Sequence, residues 1–389
     1  MILTPPRPLK SSNTLLPDGF FQLTIWSAKG VNHLYGIEYL GQELLEEACR
    51  MRASDVHIVP REKEASVSFR VDSDLIQQRT IDKKSGERLI AHFKFLSSMD
   101  IGEKRRPQNG SLAVMLGTGK VFVRMSTLPT VHDESLVIRI LPQDHVPQTK
   151  YLSLFPKASA RLLSFLNHSH GLILFTGPTN SGKTTTLYSL IQFAKKHFNR
   201  NIITLEDPVE TRNEEVLQVQ VNEKAGITYA AGLRAILRHD PDMIVLGEIR
   251  DAETARTAIR AALTGHLVMS TLHAKNAKGA LYRMLEFGVT MNELEQTMVA
   301  IAAQRLIELT CPFCGETCQL YCKLNRPVRR TNIFELLYGK ELGECIKEAK
   351  GEHAHSSYET LQKLIRKGVA LGYLSKNTYH RWVYEEASL

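Results

Sequence analysis

No stretch of this chain approaches the roughly 18 consecutive apolar residues that a membrane-spanning helix requires. Its longest apolar runs are short pieces such as 171–175 and 243–246. A basic start followed by an apolar core is also missing. The opening MILTPPRPLKSSNTLLPDGFF carries Pro5 and Pro6 early, so it does not read as a secretory signal, and a cytoplasmic location is expected. Dense basic runs are scarce: Lys104, Arg105 and Arg106, or Arg329 and Arg330, read as solvated turns rather than a binding arm. There is no internal repeat. Cysteine is sparse at six residues, which a reducing compartment would keep out of disulfides, yet four of them crowd into 311–322 and suggest a metal site.

What is present describes an ordinary globular chain. With 389 residues, 43% hydrophobic and 23% charged, it has room for two or three domains, and disorder as the main state is excluded. Lys and Arg exceed Asp and Glu by 49 to 41, a formal charge of +8 that suits nucleic acid, nucleotide phosphates or anionic lipid and selects none of them.

Residues 1–35 are rich in Pro, Ser and Asn and read as an extended arm. From 37 to 51 the residues Ile37, Leu40, Leu44, Leu45, Ala48 and Met51 share one helical face. Strands at 56–59, 65–71 and 75–81, a helix over 86–99 and further strands to 141 complete an α+β domain, 36–142. A connector, 143–156, with Pro147 and Pro156 leads into 157–389. There strands at 172–176, 202–205, 243–246 and 267–270 alternate with helices from 183, near 229–237 and over 252–263, which implies a mostly parallel sheet. Beyond Asn276 the chain reads as mainly helical, interrupted by the cysteines, with a polar helical tail from about Tyr358.

The strongest motif is Gly177-Pro178-Thr179-Asn180-Ser181-Gly182-Lys183-Thr184, a complete G-x-x-x-x-G-K-[ST] between the strand LILFT and the run opened by Thr185. Its glycines let backbone N–H groups curl around phosphates, Lys183 reaches the terminal phosphates, and Thr184 is the candidate Mg²⁺ ligand. A second acidic strand end is needed to hold the metal and orient water. DMIVLGEIRD supplies Glu248, and LEDPVE supplies Glu206 and Asp207 at another strand end. His273 ends the next strand and can contact a γ-phosphate, and His266, which begins it, is a second nucleotide-binding candidate, though at the opposite sheet edge unless a loop folds over.

The blocks GPTNSGKTTTLYSL, ITLEDPVE and LRAILRHDPDMIVLGEIRDAETARTAIRAALTGHLVMSTLH closely resemble the secretion and type IV pilus traffic ATPases. ASDVHIVP, MDIGEKRRPQNGSL and VRMSTLPTVHDESLVIRIL extend the likeness over about 36–340. The resemblance implies an α/β fold: a RecA-like P-loop NTPase domain with a parallel-rich sheet, preceded by a smaller α+β (PAS-like) domain and followed by helices with a Cys cluster. It implies ATP and Mg²⁺, a homohexameric ring, and peripheral action at the inner face of the membrane through a platform protein, with no direct nucleic acid. By motif position it adds Arg124 and Arg139 from the first domain, with Arg234 and Arg238, as phosphate-reaching groups. Glu206 maps to the usual general base and Glu248 to magnesium support, with the choice of base open.

Cys311 and Cys314 open like a zinc knuckle, and Cys318 and Cys322 complete four soft ligands; structural Zn²⁺ and reduced thiols both remain open. Assembly members of the family carry such cysteines in two C-x-x-C pairs, and here the cluster is compressed. RRTNIFELL resembles a segment of assembly ATPases with Asn332 in place of glycine, and Ala274-Lys275-Asn276 follow His273 where the family commonly has Thr-Asn-Asp. Only about 35 residues precede the match, so the long docking domain of many secretion members is not expected. The pattern looks most like the competence pseudopilus ATPases of Gram-positive bacteria, serving DNA uptake. The same motor in type II secretion or an ordinary type IV pilus is the alternative. A nucleotide-gated binding protein or a nucleic-acid translocase are readings from other classes.

Overall fold

A computed structural model describes Gln22–Leu23 and residues 36–383, apart from 73, 118, 142–148, 316–321, 323–325 and 327. The arm therefore lies almost wholly outside the described residues, as does Cys318. The chain divides into two compact units, Met1–His145 and Val146–Leu389.

The first unit is a seven-stranded sheet in the order β1-β5-β6-β7-β2-β3-β4. Its strands are β1 (Gln22–Leu23), β2 (Asp55–Pro60), β3 (Glu64–Val71), β4 (Asp74–Asp82), β5 (Gln108–Leu116), β6 (Gly119–Thr130) and β7 (Asp133–Leu141). All pairings are antiparallel except β1 with β5. Helices α1 (Ile37–Arg50) and α2 (Lys83–Leu96) bury Leu44, Leu45, Leu89 and Phe93 against Phe69, Leu136 and Ile138 of the sheet. The 3.6-residue spacing of those apolar side chains makes the helices; the period-2 burial of β6 and β7 makes the sheet. Helix α2 opens at Lys83, three residues before the expected Gly86, because Asp82 caps it, its carboxylate accepting from the Ser85 N–H at 3.0 Å.

The second unit is built on a sheet ordered β10-β9-β11-β12-β8-β13-β14. The strands β8 (Gly171–Thr176), β9 (Ile202–Glu206), β10 (Leu217–Gln220), β11 (Met243–Leu246) and β12 (Leu267–Leu272) are all parallel. Strand β13 (Met298–Glu308) lies parallel to β8, and β14 (Arg330–Tyr338) returns antiparallel at the edge. Helices α3 (Pro156–Phe165), α4 (Lys183–His197), α5 (Tyr229–Ile236), α6 (Ala252–Leu263), α7 (Ala277–Glu286) and α8 (Met291–Thr297) come before β13. After β14 come α9 (Gly339–Ala349), α10 (Leu361–Ala370) and α11 (Lys376–Val383). Strands β8, β9, β11 and β12 are buried along their whole length, so they read as continuous apolar runs between two helical layers.

The helical expectation beyond Asn276 is corrected by β13 and β14. Both strands are covered on both faces, so MVAIAAQRLIE shows no alternation, and its three alanines favour a helix locally. Tertiary coverage decides otherwise. Buried Glu335 of β14 ties down one helix on either side of it in the chain: its two carboxylate oxygens accept the N–H of Ala277 at the start of α7 and of Leu361 at the start of α10, each at 2.8 Å. Strand β10 is a second addition, since LQVQ is too short and too exposed to stand out in the sequence.

Candidate nucleotide-binding site

The order of the second sheet puts the ends of β9, β11, β12 and β8 side by side at one edge, where ligands bind in open α/β sheets. The loop after β8 turns sharply. Gly177 has φ 153°, and a Cβ there would meet the Gln304 carbonyl oxygen at 2.5 Å; Asn180 and Gly182 are left-handed at φ 63° and 83°. Helices α5, α6, α7 and α8 are each capped by their own Thr, Asp or Asn side chain, whereas α4 begins at Gly182 with no side-chain cap. Its first-turn N–H groups are thereby left for an anion. Lys183 folds back, donating to the Gly177 and Pro178 carbonyls at 2.9 and 3.0 Å. Burial lowers its pKa against the raising influence of Glu248, which makes a phosphate a better partner than the loop carbonyls. Thr184 stands in the first turn of α4 with Thr185 beside it.

The loop is held from below by residues that motif reading did not reach. Gln304 on β13, fully buried, donates through Nε2 to the Ser181 carbonyl at 2.6 Å and to Asn332 Oδ1 on β14 at 3.4 Å. The Asn332 amide lies against Gly182, where an added Cβ would meet it at 3.3 Å. The departure from glycine at position 332 therefore sits directly under the phosphate loop.

Three carboxylates gather along the same edge. Glu206, buried at the end of β9, accepts from the Tyr188 hydroxyl of α4 at 2.6 Å, from Thr204 at 2.7 Å and from Gln218 at 3.3 Å. Burial, with Glu206 next to it, raises the Tyr188 pKa, so that phenol remains a donor. Glu248, past β11, accepts from Arg250 at 2.7 Å and contacts His273 Nε2 at 3.1 Å; Arg250 also reaches Asp207 at 3.7 Å. The Thr176 hydroxyl bonds the N–H and C=O of Ala274 at 2.8 and 3.1 Å, pinning the His273 turn to the strand that feeds the loop. The Asp207–Pro208 bond is cis. Arg250 and Tyr188 carried no isolated signal: each lay inside a block that was read for another residue.

His266 is not brought to the phosphate loop within the chain. Its Nδ1 bonds the Ala261 carbonyl at 3.0 Å, and its own carbonyl accepts the Gly171 N–H at 3.1 Å, at the other end of the six-residue β8. Six residues of strand separate the two sheet edges by about 20 Å. Arg234 pairs with Glu253 at 2.8 Å, and Arg238 donates to the Arg234 carbonyl at 3.1 Å. In the first unit Arg124 and Arg139 are register partners on β6 and β7, both exposed on one face, and Arg139 is oriented by Asp55 at 2.9 Å.

The cysteines form a compact group. The Sγ atoms of Cys311, Cys314 and Cys322 lie within 4.8 Å of one another, with Cys314 and Cys322 at 3.2 Å. Thiolates around one tetrahedral zinc are separated by about 3.8 Å, given a Zn–S bond of about 2.3 Å, so the group fits such an ion. The Cys314 thiol, together with burial, pushes Cys322 up to about 12.

The type II/IV secretion system protein model matches residues 32–381. The chain belongs to that family. It is similar to the competence protein ComGA of Bacillus subtilis (strain 168), at 65% identity over 351 residues, which are 90% of this chain and 99% of that protein. It is 43% identical over 274 residues to the type II secretion system protein E of Klebsiella pneumoniae, covering 70% of this chain and 55% of that relative. Among solved structures, the pilus retraction motor PilT with bound ADP covers 90% of this chain and 98% of its own at a TM-score of 0.65 and 26% identity. The Legionella pneumophila ATPase DotB shares the fold, at a TM-score of 0.72 and 20% identity over 90% of this chain and 96% of its own.

Proposed function

We propose that this chain is the ATPase that powers assembly of a competence pseudopilus for DNA uptake, working as a ring of six on a membrane platform protein. The chain hydrolyses ATP with a P-loop site. The observation that carries the reading is the convergence of the open α4 N-terminus, Lys183, Glu206, Glu248 and His273 at one sheet edge. The 65% identity to a competence protein favours the transformation role over secretion.

In this mechanism Lys183 turns from the Gly177 and Pro178 carbonyls to the terminal phosphates, and the first-turn amides of α4 take the remaining phosphate oxygens. Magnesium, when bound, neutralises charge on the phosphates; Thr184 and Glu248 are the residues here that would hold it. Glu206 is the better general base. Among the described residues its carboxylate accepts from the neutral donors Tyr188, Thr204 and Gln218, whereas Glu248 is occupied by the Arg250 guanidinium and His273. Arg124 and Arg139, paired side by side, supply positive charge for the phosphoryl group. Among the described residues no helix is long and apolar enough to cross a membrane, so attachment at the inner membrane face is assigned to the platform partner. Zinc at Cys311, Cys314 and Cys322 would be structural.

The test is ATP hydrolysis by the purified chain, with Lys183→Ala beside it, and transformation by a strain carrying only that variant. Loss of both supports the reading. Hydrolysis at the original rate in Lys183→Ala overturns the site, and intact transformation with a failed secretion phenotype moves the motor to the type II secretion alternative.

A further inference from the structure

Among the described residues β14 is the last strand of its sheet, and an edge strand presents backbone groups with which another chain can pair. The Asn332 carbonyl points outward and accepts the Leu154 N–H at 2.8 Å. Because the β13–β14 register is continuous, the alternate residues Phe334, Leu336 and Tyr338 turn their N–H and C=O groups outward too. After that single bond Phe155 caps α3, which runs alongside the strand with Arg161 and Phe165 against the Tyr338 ring. What remains beside the edge is a cavity of about 920 Å³, walled by Phe155 and Ala158 on the α3 side and by Tyr358 and Leu364 on the other.

The charge around this groove has one sign in excess. Lys157, Arg161, Lys340 and Lys367 line it against Glu341 and Glu359. Both acids are already used: Glu341 accepts the Ser357 N–H at 2.6 Å, and Glu359 pairs with Lys367 at 3.5 Å. Among the described residues no ion pair neutralises Lys157, Arg161 or Lys340. The Arg161 guanidinium is parked 4.9 Å from the Tyr338 ring at the mouth of the groove.

We propose that this groove is a docking site for an extended segment of a partner protein, added as a further strand on β14, with apolar side chains toward the Phe155–Leu364 walls and acidic ones toward the lysines and Arg161. The outward backbone groups demand an extended occupant, the walls demand alternate apolar side chains, and the uncompensated cations demand acidic ones. A helix would leave the edge amides unpaired, and a basic segment would add to the local repulsion.

The probe is a fluorescein-labelled seven-residue peptide of alternating Leu and Glu, titrated by anisotropy into the full chain. Saturable binding is expected, weakened at least tenfold by Arg161→Glu with Lys367→Glu and by replacing the peptide's Glu with Lys. N-methylating one alternate set of peptide amides should abolish binding while methylating the other set should not, a result that needs no protein variant. Equal binding of the Leu/Lys peptide, equal tolerance of both methylated peptides, or no saturable binding overturns the proposal. So does a fall in the oligomeric mass of the double variant, which would make the groove an interface between copies. ATP hydrolysis by the double variant should be unchanged, keeping this test separate from that of the catalytic reading.

Discussion

Glu206 closes β9 and Glu248 lies two residues past the neighbouring β11, and their surroundings divide the work between them. Glu206→Gln should lower kcat by about 10²–10⁴, the usual range for a general base, while leaving nucleotide affinity nearly intact. Glu248→Gln should instead raise the magnesium concentration needed for half-maximal rate. Kinetics across a magnesium titration separate the two, and the reverse pattern would exchange the roles. Tyr188→Phe leaves the inner oxygen of Glu206 without its 2.6 Å donor. Hydrogen bonds to charged groups contribute about 1.5–3 kcal/mol, so the unfolding free energy should fall by that amount, read as a lower denaturant midpoint at unchanged m-value. In the first unit His57 is held below its ordinary pKa by burial, with Arg70 and Arg139 acting in the same direction and Asp55 opposing. A depressed folded pKa means that the unfolded chain takes up the proton first. Stability is therefore full above the unfolded value of about 6.5 and declines as pH falls below it. Denaturant midpoints between pH 7.5 and 5.5 should show that slope, and His57→Gln should flatten it.

At the scale of elements, the phosphate loop depends on two strands that do not touch nucleotide in the motif reading. Gln304→Ala removes the side chain under Ser181 and leaves a buried carbonyl unpaired, which costs about 1–3 kcal/mol. The expected readout is weaker nucleotide binding, measured by fluorescent ADP titration, with the far-UV spectrum retained. Unchanged affinity would mean that the loop holds its shape without β13. The contrast between the two halves of this site is instructive. Gly177 to Thr184 are legible because eight consecutive residues carry the whole device, turn glycines and lysine included. Gln304 is not, because its partner lies 123 positions away in the chain and nothing local distinguishes it from any glutamine. Tyr188 is hidden in the same way, 18 positions from Glu206, within a helix whose other residues already looked sufficient.

For the whole molecule, a ring motor predicts that ATPase activity per chain rises with protein concentration as hexamers form. Mass photometry beside the rate assay checks this, and concentration-independent monomeric hydrolysis would contradict it. Metal analysis should find about one zinc per chain, and Cys311→Ser with Cys314→Ser should release it and lower the melting temperature. The fold class, the α+β and α/β halves, the phosphate loop and the acidic strand ends could all be read from residue order, because each rests on local periodicity or on a motif shorter than a strand and a helix. Other features required the folded chain. The strand nature of 298–308 depends on helices that cover both faces and erase alternation. The placing of His266 at the far edge follows from which end of β12 it occupies. The buttress of Gln304 and Asn332 and the open edge of β14 follow from strand order, which brings distant segments together for reasons of shared burial that no local pattern records.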